Sequence, residues 1–560
     1  MPDVTDNSAV TSSGKMAARI GWTLLILVTL YLCYFSQLGA LGLVGPDEPR
    51  YAWIARDMAE TGDWVTPKLY GKPWFEKPVL YYWEAALSFR LFGVSEFSAR
   101  LPSAVSALLA TLSLSWLALR LYGPAHARWL LLLLPSTAAM IGFSHAASTD
   151  MPFSAMLTIA MVAAGVSMGL IAGVPSPSPP TLPLPPSRVA NTSWRPLIFF
   201  GFFLGLAVLA KGPAAIILCG AAIFLWAAVA KQWPNAFRVL HPIAIASFCL
   251  TALPWYILCM RHNPDFFRVF IIEHNFKRYL TPEFQHTQPF WYYGPILFLG
   301  LLPWTGMVGA ALFFALQREI QMRMNSSMLF LLTWGAFPIL FFSLSKSKLP
   351  GYILFSVSPF IVIAALAIAN SLEVAPASLV ARLAWFSLTP AVLIAASCFS
   401  VFSVPKTTSL HSYALASGGL ALLALAVILV FLWRKLYSTA FVSGILTSLC
   451  FLILINHLVM PWLDSRISPR TIARTVLANP DIASEVQTLR LARSWQYGLN
   501  FYLHRELPEW SASAPAPRYV LSSLNGIAEL KNRGVPFETL DSTSPHAILV
   551  KVGYPPKAQR

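Results

Sequence analysis

Long apolar runs return again and again along this 560-residue chain, and runs of that length leave a backbone few choices. In a hydrocarbon layer every peptide N–H and C=O must be satisfied within the segment, so a run of roughly 20 apolar residues is read as a helix that crosses the layer. Such runs occur at 21–43, 100–120, 127–146, 153–173, 196–210, 213–230, 239–260, 289–315, 327–344, 352–371, 379–403, 412–433 and 438–460. The chain is therefore expected to be an all-α polytopic membrane protein with about thirteen transmembrane helices. Only 11% of its residues are charged, against about a quarter in soluble proteins. The first run is too long for a signal-peptide core, which predicts a retained span.

The six cysteines, Cys33, Cys219, Cys249, Cys259, Cys398 and Cys450, all lie inside these runs, and their spacing suggests neither disulfides nor a zinc finger. A formal charge of +16 would suit a nucleic-acid partner if it were clustered, but the basic residues are spread over short loops. That distribution is the signature of membrane orientation and argues against nucleic acid. Lys15 and Arg19 ahead of the first span put the N-terminus on the cytoplasmic side. Counting onward, the loops bearing Arg120 and Arg128, Lys231 and Arg238, and Arg434 and Lys435 fall inside. The proline-rich stretch at 176–187 also falls inside and reads as a linker. The outer face receives 44–98, 148–152, 261–288, 345–352 and everything after 460.

The outer loops carry charges that orientation does not require: Arg50, Lys77, Lys277, Arg278, Lys346 and Lys348, beside Asp47, Glu48 and Glu76. Within the first outer loop, Tyr51, Ile54, Ala55, Met58 and Ala59 fall on one helical face, with Pro49 in the first turn and Gly62 at the end. A second helix is expected from Pro78 through the aromatic-rich VLYYWEAALSFRLF, and both should lie along the membrane surface. Asp47 then precedes one helix and Glu76-Lys77 the other, where unpaired amide donors favour an anion. Asp150, in HAASTDMP, is placed to cap the next helix. His274, Lys277 and Arg278 form a cationic cluster in another outer loop, and LSKSKLPGY puts Lys346, Lys348 and Tyr352 beside a helix start.

The run GPDEPRYAWIARDMAETGDWVTPKLYGKPWFEKPVLYYW, followed by FSARLPSA at 97–104, resembles the first periplasmic loop of the bacterial aminoarabinose transferases that modify lipid A. These are relatives of the protein O-mannosyltransferases within the polyprenyl-phosphate-dependent glycosyltransferases. HAASTDMP, EHNFKRY and SKSKLPGY match later motifs in the same order, so the resemblance covers about residues 20–460. It implies about thirteen transmembrane helices, periplasmic juxtamembrane helices and a periplasmic C-terminal domain in the bacterial inner membrane. It further implies Asp47 and Asp150 as active-site carboxylates and Arg50, Lys77 and Arg278 as ligands of the lipid phosphate. Tyr51, Lys346, Lys348 and Tyr352 become the candidate substrate-loop residues. Glu76 resembles a ligand for a divalent metal, zinc being one candidate, with His274 as its partner and His262 or His286 as alternatives.

The expected function is transfer of a sugar from an undecaprenyl-phosphate carrier to a periplasmic acceptor. No Asp-x-Asp or glycine-rich nucleotide loop is present, which favours a lipid donor over a nucleotide sugar. Transfer of aminoarabinose to a lipid A phosphate competes with transfer of mannose or another hexose to a protein or glycan hydroxyl. A lipid-linked-sugar flippase is the reading from another class, disfavoured because no charge lies deep inside a span and no inverted repeat is evident.

The chain is expected to divide into a transmembrane transferase domain, 1–465, and a small α/β domain, 466–560. In the latter, TIARTVLANP and NGIAELKNRG read as helices and VQTLRL, RYVLSS and AILVKV as strands.

Overall fold

A computed structural model describes residues 7–170, 193–277, 287–322, 326–373, 377–402, 410–511, 517–544 and 546–553. Arg278 and His286, and the proline-rich stretch at 176–187, lie outside the described residues. Each of the thirteen apolar runs contributes at least one helix, the first of them ending at Tyr34 rather than Leu43. Nine of the described helices are long and apolar enough to cross a membrane alone. Two further runs are each a pair of helices with a sharp break, Pro124–Leu133 with Ala138–Ser144 bent by 63° and Phe290–Gly300 with Thr305–Gln317 bent by 110°. The sequence showed each as one continuous apolar run. Pro135 and Pro303 sit in the breaks, where a residue without an N–H cannot carry the ladder across. The last two runs form the 17-residue helices Arg195–Lys211 and Ala214–Ala230. The protein is thus a polytopic helical membrane protein with a small C-terminal α/β domain.

The chain folds as two compact units. One comprises residues 1–36, 104–144 and 150–453, and holds most of the spans. Its interior is fastened by large buried aromatics: Trp226, Trp304 and Trp334 are almost wholly excluded from solvent. Trp304 Nε1 donates to Ser136 Oγ at 2.9 Å, tying the two broken spans together at their breaks. The Arg195–Lys211 helix packs on Pro242–His262 through Gly201 and Gly205, where an added Cβ would collide with Ala244 and Thr251. This is the small-xxx-small device that lets membrane helices approach closely.

The other unit comprises residues 37–103, 145–149 and 454–560. Its first helix, Asp47–Thr61, begins with Asp47 and Glu48 in the first turn, where acidic groups suit the helix dipole. It stops at Gly62, whose φ of +75° and N–H bond to Met58 form a left-handed cap. Asp47 is the first helical residue rather than the residue ahead of the helix. A two-residue ladder, β1 (Lys68–Leu69) with β2 (Lys72–Pro73), turns the chain toward the helix Leu80–Phe92, which starts two positions later than the sequence suggested. Arg90 on that helix donates twice to the Ala59 carbonyl, closing the helical pair.

In the C-terminal domain the strands β3 (Gln487–Leu489), β4 (Tyr519–Ser522), β5 (Phe537–Ser544) and β6 (Ala547–Val552) form one sheet in the order β3-β4-β6-β5. Only β3 and β4 run parallel. Alternation along the strands separates two cores: Leu521 and Leu549 face the helices of residues 470–503, while Val520 and Val550 pack with Leu530 of the Leu524–Asn532 helix. The β5 strand escaped the sequence reading because FETLDSTS is polar and its register is broken at Asp541.

Candidate active site

The charges at the exit of the first span separate into two roles. Glu48 is a buried anchor: it receives Arg100 Nε and Nη2 at 3.0 and 2.8 Å and the amides of Val44 and Ala147. Arg100 also donates to the carbonyls of Leu38, Leu41 and Gly42. Every donor and acceptor of this pair is used to hold the backbone around the exit, the arrangement a buried ion pair requires.

Asp47 and Arg50 stand on the opposite side of the same helical turn. Arg50 Nη2 lies 2.5 Å from Asp47 Oδ1 and 3.0 Å from Glu76 Oε2, and its side chain is only 8% exposed while that of Asp47 is 52% exposed. Its guanidinium stacks over Tyr51, Trp74 and Tyr497 at 5.4, 5.3 and 5.8 Å. Burial works against the charge, and the neighbouring Tyr51, Glu76 and Asp47 outweigh it, so Arg50 is held above its usual range as a permanent cation. Tyr51 is not a loop residue: it is buried, packed between Tyr81 and Tyr82. Lys77 is half-buried beside Glu76 in sequence. Tyr497 arrives from the C-terminal domain, on the helix Arg493–Leu503, which no pattern in the tail announced.

In the other unit, Asp150 opens the helix Asp150–Ser167 and is engaged by Lys211, whose Nζ bonds to Asp150 Oδ1. The side chains are 11% and 24% exposed for Lys211 and Asp150. Asp150, expected at this helix start as a cap or an active-site carboxylate, reaches across to Lys211 at the C-terminal end of Arg195–Lys211. The Lys211 ammonium also lies over the rings of Tyr352, 4.7 Å away, and Phe153, 5.5 Å away. Gly351 passes so close that a Cβ there would sit 2.6 Å from the carboxylate of Asp150, so this position is reserved for glycine. Tyr352 lies in the short helix Pro350–Ile353, its ring 4.8 Å from Phe342, rather than in an open loop. Pro350 and Ile353 of this turn also line an apolar cavity of about 240 Å³, with Phe143, Leu297, Leu299 and Val357 among its walls.

Lys346 is exposed, whereas Lys348 is buried and donates to the carbonyls of Ser345, at 2.5 Å, and Gln288, at 3.0 Å. Burial first, and Lys346 second, hold the Lys348 ammonium below its usual range. Lys348 thus braces the loop from inside.

The expected metal ligands do not assemble among the described residues. Glu76 is bonded to Arg50, no group of three His, Cys, Asp or Glu side chains is gathered there, and His262 Nδ1 is turned to the Leu258 carbonyl. His274 lies on the helix Phe267–Lys277. Among the described residues these groups form no metal centre, and the chemistry below rests on the protein's own groups.

The sequence reading missed Lys211, Trp74, Tyr497 and the Glu48–Arg100 pair. Lys211 carried one signal, a lone cation in AKGPA between two apolar runs.

Residues 20–270 match the family described as dolichyl-phosphate-mannose-protein mannosyltransferase. Over 347 residues the chain is 33% identical to the undecaprenyl phosphate-alpha-4-amino-4-deoxy-L-arabinose arabinosyl transferase of Edwardsiella ictaluri, covering 62% of this chain and 59% of that protein. It is 34% identical over 349 residues to the protein of the same name from Erwinia tasmaniensis, covering 61% and 59%. The chain thus spans 59% of the length of these curated relatives. Its structure superposes on the crystal structure of ArnT from Cupriavidus metallidurans bound to undecaprenyl phosphate with a TM-score of 0.75 and 22% identity, over 95% of this chain and 98% of that one. The chain is therefore similar in sequence to these proteins and shares the fold of the Cupriavidus structure.

Proposed function

We propose that the protein is an integral membrane glycosyltransferase that moves a sugar from an undecaprenyl-phosphate carrier to an acceptor on the periplasmic face of a bacterial inner membrane. The transfer best supported is that of 4-amino-4-deoxy-L-arabinose to a phosphate of lipid A, since the similar proteins are named for transfer of that sugar. One structural observation carries the reading: Arg50 is a buried, permanently charged guanidinium whose aromatic and carboxylate neighbours fix it in place. A cation so placed suits a departing lipid phosphate. The apolar cavity beside the Tyr352 turn suits part of a polyprenyl tail.

In the transfer, the bond from the anomeric carbon to the phosphate oxygen breaks and negative charge grows on the lipid phosphate. Arg50, with Lys77 and Arg278 as further phosphate ligands, stabilises that charge without reorganising. A phosphate acceptor arrives ionised and needs mainly positioning. Asp47, half-exposed beside Arg50, and Asp150, tethered by Lys211, are the carboxylates assigned to orient donor and acceptor. A single displacement inverts the anomeric centre; retained stereochemistry in the product would refute that step.

The match to a protein-mannosyltransferase family favours one second reading, transfer of a hexose to a hydroxyl, in which Asp47 would act as base. Mass spectrometry of lipid A and of periplasmic glycoproteins, with and without the gene, separates them. Loss of an aminopentose from lipid A supports the main reading. Unchanged lipid A with a lost hexose elsewhere supports the second, and no change in either points to transport of the lipid-linked sugar.

A further inference from the structure

Away from the Arg50 cluster, the same unit holds a cavity of about 350 Å³ that the proposed chemistry does not use. That is within the range of ligand pockets, roughly 300–1,000 Å³. Three arginines reach it from two elements: Arg56 from the Asp47–Thr61 helix, and Arg470 and Arg474 from the helix Arg470–Leu477. Arg56 is six residues beyond Arg50, about 120° round the helix, so the two guanidinia leave on different faces. Arg470 and Arg474 are one turn apart and share a face.

The cavity has one acidic lining residue, Glu96, and that carboxylate is already engaged. Arg470 Nη1 lies 3.2 Å from it and the Tyr502 hydroxyl donates to it at 2.9 Å. Arg470 also bonds to Asp464 and to the carbonyls of Gly39 and Ala40, which makes it a strut rather than a ligand group. Arg56 spends Nε on Glu60 and Nη1 on the Phe501 carbonyl, leaving Nη2 without a hydrogen bond among the described residues. Arg474 is exposed and makes no hydrogen bond or ion pair among the described residues. Two guanidinia with donors to spare therefore converge on a cavity whose only carboxylate is neutralised.

The cavity also lies at a membrane boundary. Glu96 is the first residue of the span Glu96–Tyr122, and the Arg470–Leu477 helix follows directly on the span that ends at Ile467. Exposed apolar side chains line it, Val94 just ahead of the first of these spans and Leu477 at the end of the arginine helix, and Leu91 and Phe92 at the end of the Leu80–Phe92 helix are exposed a few residues before Val94. An apolar rim next to spare arginines matches an acyl chain next to an anionic head.

We infer that the Arg56–Arg474 cavity binds the phosphate of a phosphorylated membrane lipid, with the lipid's chains over Val94 and Leu477. Guanidinium forks suit phosphate because two parallel N–H donors meet two oxygens. This site gives the C-terminal domain a ligand of its own and is independent of the transfer chemistry.

The test is native mass spectrometry of the full chain in detergent micelles, carried in an R50A background so that the Arg50 cluster does not contribute. The probes are phosphatidic acid, phosphatidylcholine and inorganic phosphate. Phosphatidic acid is expected to be retained and phosphatidylcholine lost, and R474E should weaken retention by about tenfold or more, as loss of a charge-assisted bond predicts. R56Q should weaken it less, since Arg56 shares its charge with Glu60. Arg474 is exposed, so the variant is expected to fold, and an unchanged melting temperature verifies this. Equal retention in R474E and its parent overturns the site. Displacement of phosphatidic acid by equimolar inorganic phosphate overturns the lipid assignment in favour of a soluble anion.

Discussion

Replacing Lys211 with methionine removes the cation that meets Asp150 while keeping the side chain's length and apolar body. Two unit charges about 4 Å apart attract by about 4 kcal/mol at the effective dielectric of a partly buried site. Asp150 is 24% exposed, and part of that attraction replaces hydration already lost, so about 2 kcal/mol is the net coupling expected. If the coupling is expressed in the transfer step, K211M lowers kcat about thirtyfold. D150N should lower it at least as much, and the double variant should be little worse than D150N alone, because Lys211 acts through Asp150. K211R should recover part of the loss, since it restores the charge over Tyr352 and Phe153. The assay is single-turnover transfer by purified protein from a polyprenyl-phosphate sugar, read by mass of the product. Additive effects of the two single variants, or full kcat in K211M, would refute the assignment of Lys211 as the residue that positions Asp150.

R50A should reduce affinity for undecaprenyl phosphate by more than R50K, and R50K itself by about tenfold, because an ammonium keeps the charge but not the fork or the stacking on three rings; unchanged affinity in both variants, measured by ligand titration, would remove Arg50 from the phosphate site. E48Q should destabilise the protein by about 3–5 kcal/mol, since it breaks a buried pair while leaving Arg100 in place, and a melting temperature in detergent equal to the parent's would contradict that role. Glu84, on the Leu80–Phe92 helix, has its carboxyl pushed up to about 8 by burial, and its Oε2 has no hydrogen-bond partner among the described residues. Between its ordinary value of 4.5 and about 8 the folded chain keeps a proton that the unfolded chain releases, so this group's contribution falls as pH rises through that window. E84Q should therefore raise the melting temperature more above about pH 8 than near pH 5, and an equal change at both would exclude the effect.

Local physics made much of this protein readable. Helices formed in each of the thirteen apolar runs because a segment in hydrocarbon has to satisfy its own backbone, a demand set by composition over about 20 residues. The Asp47–Thr61 helix was readable for the same reason, from its periodicity, its acidic first turn and its closing glycine. Asp47, Asp150, Arg50 and Tyr352 were named in advance because they stand in motifs that resemble known ones, and the structure adds that Arg50 bonds to Glu76 and that Tyr352 shares Lys211 with Asp150.

The sequence could not say which charges are anchors and which are free to act. Glu48 and Asp47 are neighbours with the same chemistry, yet one is spent on Arg100, fifty-two residues away in sequence, and the other is half-exposed beside Arg50. Lys348 looked like a ligand and is consumed by backbone carbonyls, whereas Lys211 looked like a loop cation and holds Asp150. Tyr497 meets Arg50 from more than four hundred residues further along. Sequence by itself determined the spans, the helices of the first outer loop and the residue types of the candidate site, because each follows from interactions within a few turns. Tertiary structure alone decided the partners, because a charge's role depends on what desolvates and pairs it, and those groups come from distant segments.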